Sequence, residues 1–289
     1  MRLVSDVEGR KPRSFASTPN LDPASAWRLL VDALRDFAAA WGVARHPSPG
    51  GTRRGEAAIA LLLCALVVAV ATVGDEAGAR WAMALPATVR EVAGYVTLLG
   101  TSGYIFALCV AVAVVAVLAG GRGSGRRFKA AMNGLAGRAA FVFAVNAVGG
   151  ILAQLLKHLA GRARPKLMSI VGPFHFDLFS IKASLASFPS GHTITAFATA
   201  AALSYFAPRL RLPLFLVAAL VALSRLMVGA HYPSDVLAGI IFGVGTAIYV
   251  RRAFATRGLV FRRAGDRILV RRSGSLTAAL GALTHRAAR

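Results

Sequence analysis

Ser187-Phe188-Pro189-Ser190-Gly191-His192-Thr193 stands at the mouth of an apolar run and sets a glycine-freed turn beside a histidine. Gly191 admits positive φ and leaves its amide uncovered, Ser190 adds a hydroxyl, and His192 adds a donor that can release its proton. Such a turn suits an anion. A serine and a glycine before a helix are also an ordinary helix start, so the string alone does not separate a binding turn from a cap.

The run that this turn opens, about 193–207, is one of six; the others lie at about 57–73, 94–119, 139–156, 213–228 and 236–250. Over 289 residues, 56% are hydrophobic, and the mean hydropathy of +0.60 does not describe a water-soluble surface. The pattern predicts an all-α polytopic membrane bundle of six transmembrane helices. Nine Lys and Arg before the first run, five in 121–138, two in 208–212 and ten after 250 put 26 of the 34 on one side. That bias makes both termini cytoplasmic. A net charge of +22 laid out in short blocks between apolar runs fits anionic lipid headgroups and argues against nucleic acid as partner. Cys64 and Cys109 lie inside apolar runs and give no disulfide framework.

The chain divides into a basic arm over 1–56, a transmembrane domain over 57–250 and a basic tail over 251–289. In the arm, Asp22-Pro23 starts an amphipathic helix with Trp27, Leu30, Val31, Leu34, Phe37 and Trp41 on one face, suited to a membrane interface or to the protein's own cytoplasmic side. In the tail, Leu259-Val260-Phe261 and Ile268-Leu269-Val270 flank Gly265-Asp266 as a hairpin, and 275–289 form a second basic amphipathic helix. Residues 77–92 are expected to form a surface helix in the first outer segment.

On the outer side lie two further blocks. Lys157 and Arg164-Pro165 close the third run, where cations also snorkel without any chemistry. Ser224-Arg225 and His231-Tyr232-Pro233-Ser234-Asp235 are harder to explain that way, because an arginine inside an apolar run needs a polar interior or a bound anion. Asp235 can hold one ring N–H of His231 and free the other nitrogen, or it can simply cap the sixth helix.

Read in order, Lys157-x6-Arg164-Pro165, Pro189-Ser190-Gly191-His192 and Ser224-Arg225-x5-His231-x3-Asp235 resemble the type 2 phosphatidic acid phosphatase superfamily, which also holds soluble acid phosphatases and vanadium haloperoxidases. The match is full at the motif positions over 157–235, and the run layout extends it to 57–250. The resemblance implies an acid phosphatase/vanadium haloperoxidase-like core. It implies that Lys157, Arg164 and Arg225 surround a phosphate, with Ser190 and the Gly191 amide as further donors. His231 would attack phosphorus to give a phosphohistidine, Asp235 would orient it, and His192 would protonate the leaving oxygen and then activate water. No metal or other cofactor is expected, because three cationic side chains repel a divalent ion.

A site sunk at the outer rim of the bilayer implies a substrate with a lipid tail in the membrane. The expected function is a lipid phosphate phosphatase of a bacterial-type inner membrane, acting at the extracytoplasmic face on an undecaprenyl diphosphate, phosphatidic acid or phosphatidylglycerol phosphate type of lipid. A lipid A phosphatase or a lipid phosphotransferase would use the same residues. A vanadium-dependent haloperoxidase fits the site less well, given the membrane spans. His175 and Asp177, in the aromatic loop over 173–179, fall outside the motif.

Overall fold

The computed structural model describes residues 53–270 apart from 124, 265 and 266, so the expected helices over 22–41 and 275–289 lie outside the described residues. Among the described residues, seven helices of eleven residues or more and a hairpin carry the architecture: α1 (Arg53–Ala84), α2 (Ala87–Thr97), α3 (Ser102–Arg122), α4 (Arg126–Ala160), α5 (Gly191–Ser204), α6 (Arg211–Met227) and α7 (Pro233–Thr256), then β1 (Phe261–Ala264) and β2 (Arg267–Val270). The hairpin falls where the sequence places it, with Phe261 opposite Val270 and Ala264 opposite Arg267.

Among the described residues, five helical segments are long and apolar enough to cross a bilayer: Ala58–Ala84, Ala87–Arg122, Arg126–Ala160, Pro208–Met227 and Pro233–Thr256. The expected fourth span is a helix too, but α5 has only 14 residues, about 21 Å at 1.5 Å per residue against a hydrocarbon core of about 30 Å. By length and composition five segments qualify as spans; α5 is a short central helix that carries the chain from the end where α4 stops to the end where Tyr205 and Phe206 pack with Phe141 and Phe261. Its side chains from Thr193 to Ala202 are mostly buried, against α4, α6 and α7. On α1, by contrast, Leu62 and Val73 are exposed at 69% and 81%, as a lipid-facing helix requires.

The surface helix expected over 77–92 does not form as a unit. α1 runs on to Ala84 and α2 starts after Pro86, because proline disfavours helical geometry in the residue before it and serves well at a helix start. Gly78 does not break α1; it lets the helix lie against α7, since a Cβ there would fall 2.5 Å from Pro233 Cγ. The second expected span is interrupted in turn by a single 3-10 turn at Leu98–Gly100.

At the end of the bundle carrying the hairpin, Phe141 packs edge-on against Phe206, Phe254 and Phe261 at centroid distances of 4.8–5.6 Å. At the opposite end, the C-termini of α4 and α6 meet the N-termini of α5 and α7. That antiparallel layout gathers all three motif blocks at one end.

Candidate active site

Each motif residue sits on a helix end or on the loop it launches. Lys157 is in the last turn of α4, which stops at Gly161 in the left-handed region, with the Gly161 amide bonded to the Lys157 carbonyl at 2.9 Å. Only glycine fits at 161, since φ is +56° and a Cβ would fall 1.6 Å from the Asp177 carbonyl oxygen. The chain then runs extended through Arg162 and Arg164. The Arg164 Nε donates to the Ala183 carbonyl at 2.9 Å and Nη1 to the Ala230 carbonyl at 3.3 Å, which ties this loop to the one bearing His231.

Ser190 is the N-cap of α5 and makes no side-chain cap. Its amide donates to the backbone carbonyl of Asp235 at 3.1 Å, joining the Pro-Ser-Gly-His turn to the start of α7. Its hydroxyl accepts from Thr193 Oγ1 at 2.9 Å, so its own proton remains to be donated. The Lys157 ammonium stands over this turn, 3.4 Å from where a Cβ on Gly191 would be. Arg225, 9% exposed in the last turn of α6, donates from Nη1 to Thr97 Oγ1 at 2.6 Å across the α2–α6 contact. His192 lies within electrostatic reach of Arg225, His231, Lys157 and Arg164. All eight expected site residues therefore gather at one end of the bundle.

His231 departs from expectation in an informative way. Its Nδ1 lies 2.7 Å from the Ser187 carbonyl oxygen, and since that oxygen can only accept, Nδ1 carries the proton and Nε2 the lone pair. Burial pushes the imidazole down to about 4, against the pull of Asp235 and with help from the charges of Arg225 and Arg164. The ring is therefore neutral at neutral pH. Of the two roles open to Asp235, the carboxylate does not take the one of holding this N–H, since its Oδ2 is 3.8 Å from Nδ1, beyond hydrogen-bond range. It closes the capping box of α7 instead, accepting from the Tyr232 amide at 2.9 Å, and it accepts from Ser187 Oγ at 2.6 Å. Ser187 thus links the two, with its hydroxyl on Asp235 and its carbonyl on His231.

Behind Asp235 lies a cluster that the motif reading missed. The Arg162 Nη1 donates to Asp235 Oδ1 at 2.7 Å and Nη2 to Asp75 Oδ2 at 2.6 Å, all three residues being at most 2% exposed. The two carboxylates outweigh the burial that works against the guanidinium charge and push its pKa up. Asp75 could have been flagged as an acidic residue closing an apolar run, and Arg162 as a third cation in the Lys157–Arg164 block.

Lys157, Gly191 and His192 line one part of a cavity of about 640 Å³ whose walls include Phe106, Ala147, Gly150, Ile151 and Leu155 of α3 and α4. Among the described residues, no cluster of three or more His, Cys, Asp and Glu has the arrangement of a metal site.

A family model described as the PAP2 superfamily matches residues 138–259. A lipid A 1-phosphatase of Rhizobium etli is 36% identical over 185 residues, 63% of this chain and 78% of that protein. A lipid A 1-phosphatase of Rhizobium johnstonii is 42% identical over 127 residues, 44% of this chain and 52% of that protein. The crystal structure of a transmembrane PAP2 type phosphatidylglycerolphosphate phosphatase from Bacillus subtilis aligns with a TM-score of 0.49 at 23% identity, over 68% of this chain and 94% of that one.

Proposed function

The chain belongs to the PAP2 superfamily and is a multi-pass membrane lipid phosphatase, and from that premise we propose that it removes phosphate from a lipid at the extracytoplasmic face through a phosphohistidine on His231. The observation that carries this reading is the bond from His231 Nδ1–H to the Ser187 carbonyl, which leaves a neutral ring with its Nε2 lone pair available. Lys157, Arg164 and Arg225 hold the phosphoryl oxygens, and the Ser190 hydroxyl and Gly191 amide meet the charge that grows on them in the transition state. Four cations with Arg162, set against Asp75 and Asp235, leave a surplus of about two positive charges that a phosphate monoester dianion would balance.

In the first step, Nε2 attacks phosphorus in line, the bond from phosphorus to the lipid oxygen breaks, and His192 gives that oxygen a proton. Burial and the charges of Arg225, His231, Lys157 and Arg164 lower the His192 pKa to about 4, and the bound phosphate dianion offsets them so that the ring takes that proton up. The imidazolium formed on His231 is stabilised by Asp235, 3.8 Å from Nδ1. In the second step, His192 takes a proton from water, the water oxygen bonds to phosphorus, and the P–N bond breaks to release inorganic phosphate and the neutral ring. No step calls on a metal ion.

The cavity between α3, α4 and α5 is walled mainly by apolar side chains beside Lys157 and His192, which suits a lipid stem with its phosphate held at the cations. The relatives named lipid A 1-phosphatases support a lipid of the lipid A type as one candidate substrate. Undecaprenyl diphosphate, phosphatidic acid and phosphatidylglycerol phosphate fit the same site about equally well. A phosphate-release panel in detergent across these four lipids, with His231→Ala as control, tests the reading. Release from at least one lipid by the parent, and none by the variant, is expected. Release by His231→Ala at the parent rate would overturn it.

A further inference from the structure

We infer that Asp75, on α1 and outside the matched family region, is a positioning residue for His231, acting through Arg162, Asp235 and Ser187. This rests on the phosphatase reading above and extends it to a helix that carries none of the motif blocks.

The chain of contacts is continuous. Asp75 Oδ1 accepts from the Ser234 amide at 2.8 Å, and Oδ2 accepts from Ser234 Oγ at 2.6 Å and from Arg162 Nη2 at 2.6 Å. Arg162 Nη1 donates in turn to Ser234 Oγ at 2.8 Å and to Asp235 Oδ1 at 2.7 Å. From there Ser187 Oγ donates to Asp235 Oδ2, and the Ser187 carbonyl receives the His231 Nδ1–H. Ser187 is gripped a second time, its amide donating to the Arg162 carbonyl at 3.1 Å. Arg162 therefore holds Ser187, whose carbonyl sets the ring of His231, directly by its backbone carbonyl and through Asp235 by its side chain, and Asp75 holds Arg162.

Three charges at most 2% exposed form an expensive arrangement, and removing one partner of such a set leaves the others uncompensated. Two carboxylates on one guanidinium mean that Arg162 is committed to protein partners and is not a further phosphate ligand. The second carboxylate also shares the guanidinium charge, so Asp235 keeps more of its own negative charge for the imidazolium 3.8 Å away. A tie serving only to seat α1 would need no such placement, because the Gly78–Pro233 contact already packs α1 against α7.

The test compares Asp75→Asn, Arg162→Gln and the double variant with the parent, at saturating and limiting lipid phosphate. Asp75→Asn is expected to lower kcat about 10- to 100-fold with KM within about threefold, and the double variant to be no slower than Arg162→Gln alone. Asp75→Glu, which keeps the charge, is expected to recover part of the loss. A kcat for Asp75→Asn within about twofold of the parent, or losses that multiply in the double variant, would overturn the proposal. If Asp75→Asn does not fold, Asp75→Glu and Arg162→Lys carry the comparison. Reduced kcat at unchanged KM then supports it, and parental kcat overturns it.

A second readout separates this claim from the phosphatase reading. The rate at which diethyl pyrocarbonate modifies His231, followed by mass spectrometry, should change in Asp75→Asn whether or not any lipid is hydrolysed. A parent that releases no phosphate sinks the functional reading, whereas an unchanged modification rate sinks the positioning role.

Discussion

Replacing Asp235 with asparagine removes a charge while keeping nearly the same shape, and the structure gives the size of the effect. With Oδ2 at 3.8 Å from His231 Nδ1, a unit charge acting on the imidazolium at an effective dielectric near 20 is worth about 4 kcal/mol. Arg162 at 2.7 Å from the other carboxylate oxygen offsets part of that attraction, so the loss should lie between about 2 and 4 kcal/mol, roughly 30- to 1,000-fold in kcat. The neutral ring in the ground state feels little of this charge, so KM should stay within about threefold. Rapid-quench measurement of phosphate release from a lipid phosphate in detergent micelles gives both constants, with thermal unfolding as the check on folding. A kcat within about fivefold of the parent, or a loss lying wholly in KM, would refute a role for Asp235 in stabilising charge on His231.

Three further outcomes are expected. The His231 pKa is lowered from an ordinary 6.5 to about 4 in the folded protein, so its contribution to stability is complete above pH 6.5 and drains away as pH falls toward 4. The melting temperature of the parent should therefore drop more across that window than that of His231→Gln, and parallel curves would contradict a buried neutral ring. Gly78→Val should lower both melting temperature and kcat, because its Cβ would meet Pro233 Cγ at 2.5 Å and push α1 from α7 one turn from Asp75; a variant matching the parent in both would show that the junction yields freely. Prolonged EDTA treatment should leave kcat unchanged, and a loss restored by a divalent cation would contradict the metal-free scheme.

Short spacings made the motif residues legible, since Lys157 and Arg164, or His231 and Asp235, sit within a turn or two of each other along the chain. The hydrogen-bond partner of His231 was not legible, because it is a backbone carbonyl 44 residues away and a carbonyl leaves no side-chain signature. The sequence correctly offered capping as the alternative job for Asp235, yet spacing alone could not decide between a cap and a ring partner. Asp75 escaped for the opposite reason: its partners Arg162 and Ser234 lie 87 and 159 residues on, and only the packing of α1 against α7 brings them together. Apolar runs located the helices but not their limits. Pro86 stops α1 later than hydropathy suggests, and the apolar character of α5 reflects burial of most of its side chains against other helices.

The most direct measurement is to mix enzyme with ³²P-labelled lipid phosphate, quench in alkali within milliseconds and map the label by mass spectrometry. The account predicts base-stable, acid-labile phosphate on His231, accumulating further in His192→Ala, where release by water is slowed. Turnover with label on no histidine, or on His192 in place of His231, would contradict it.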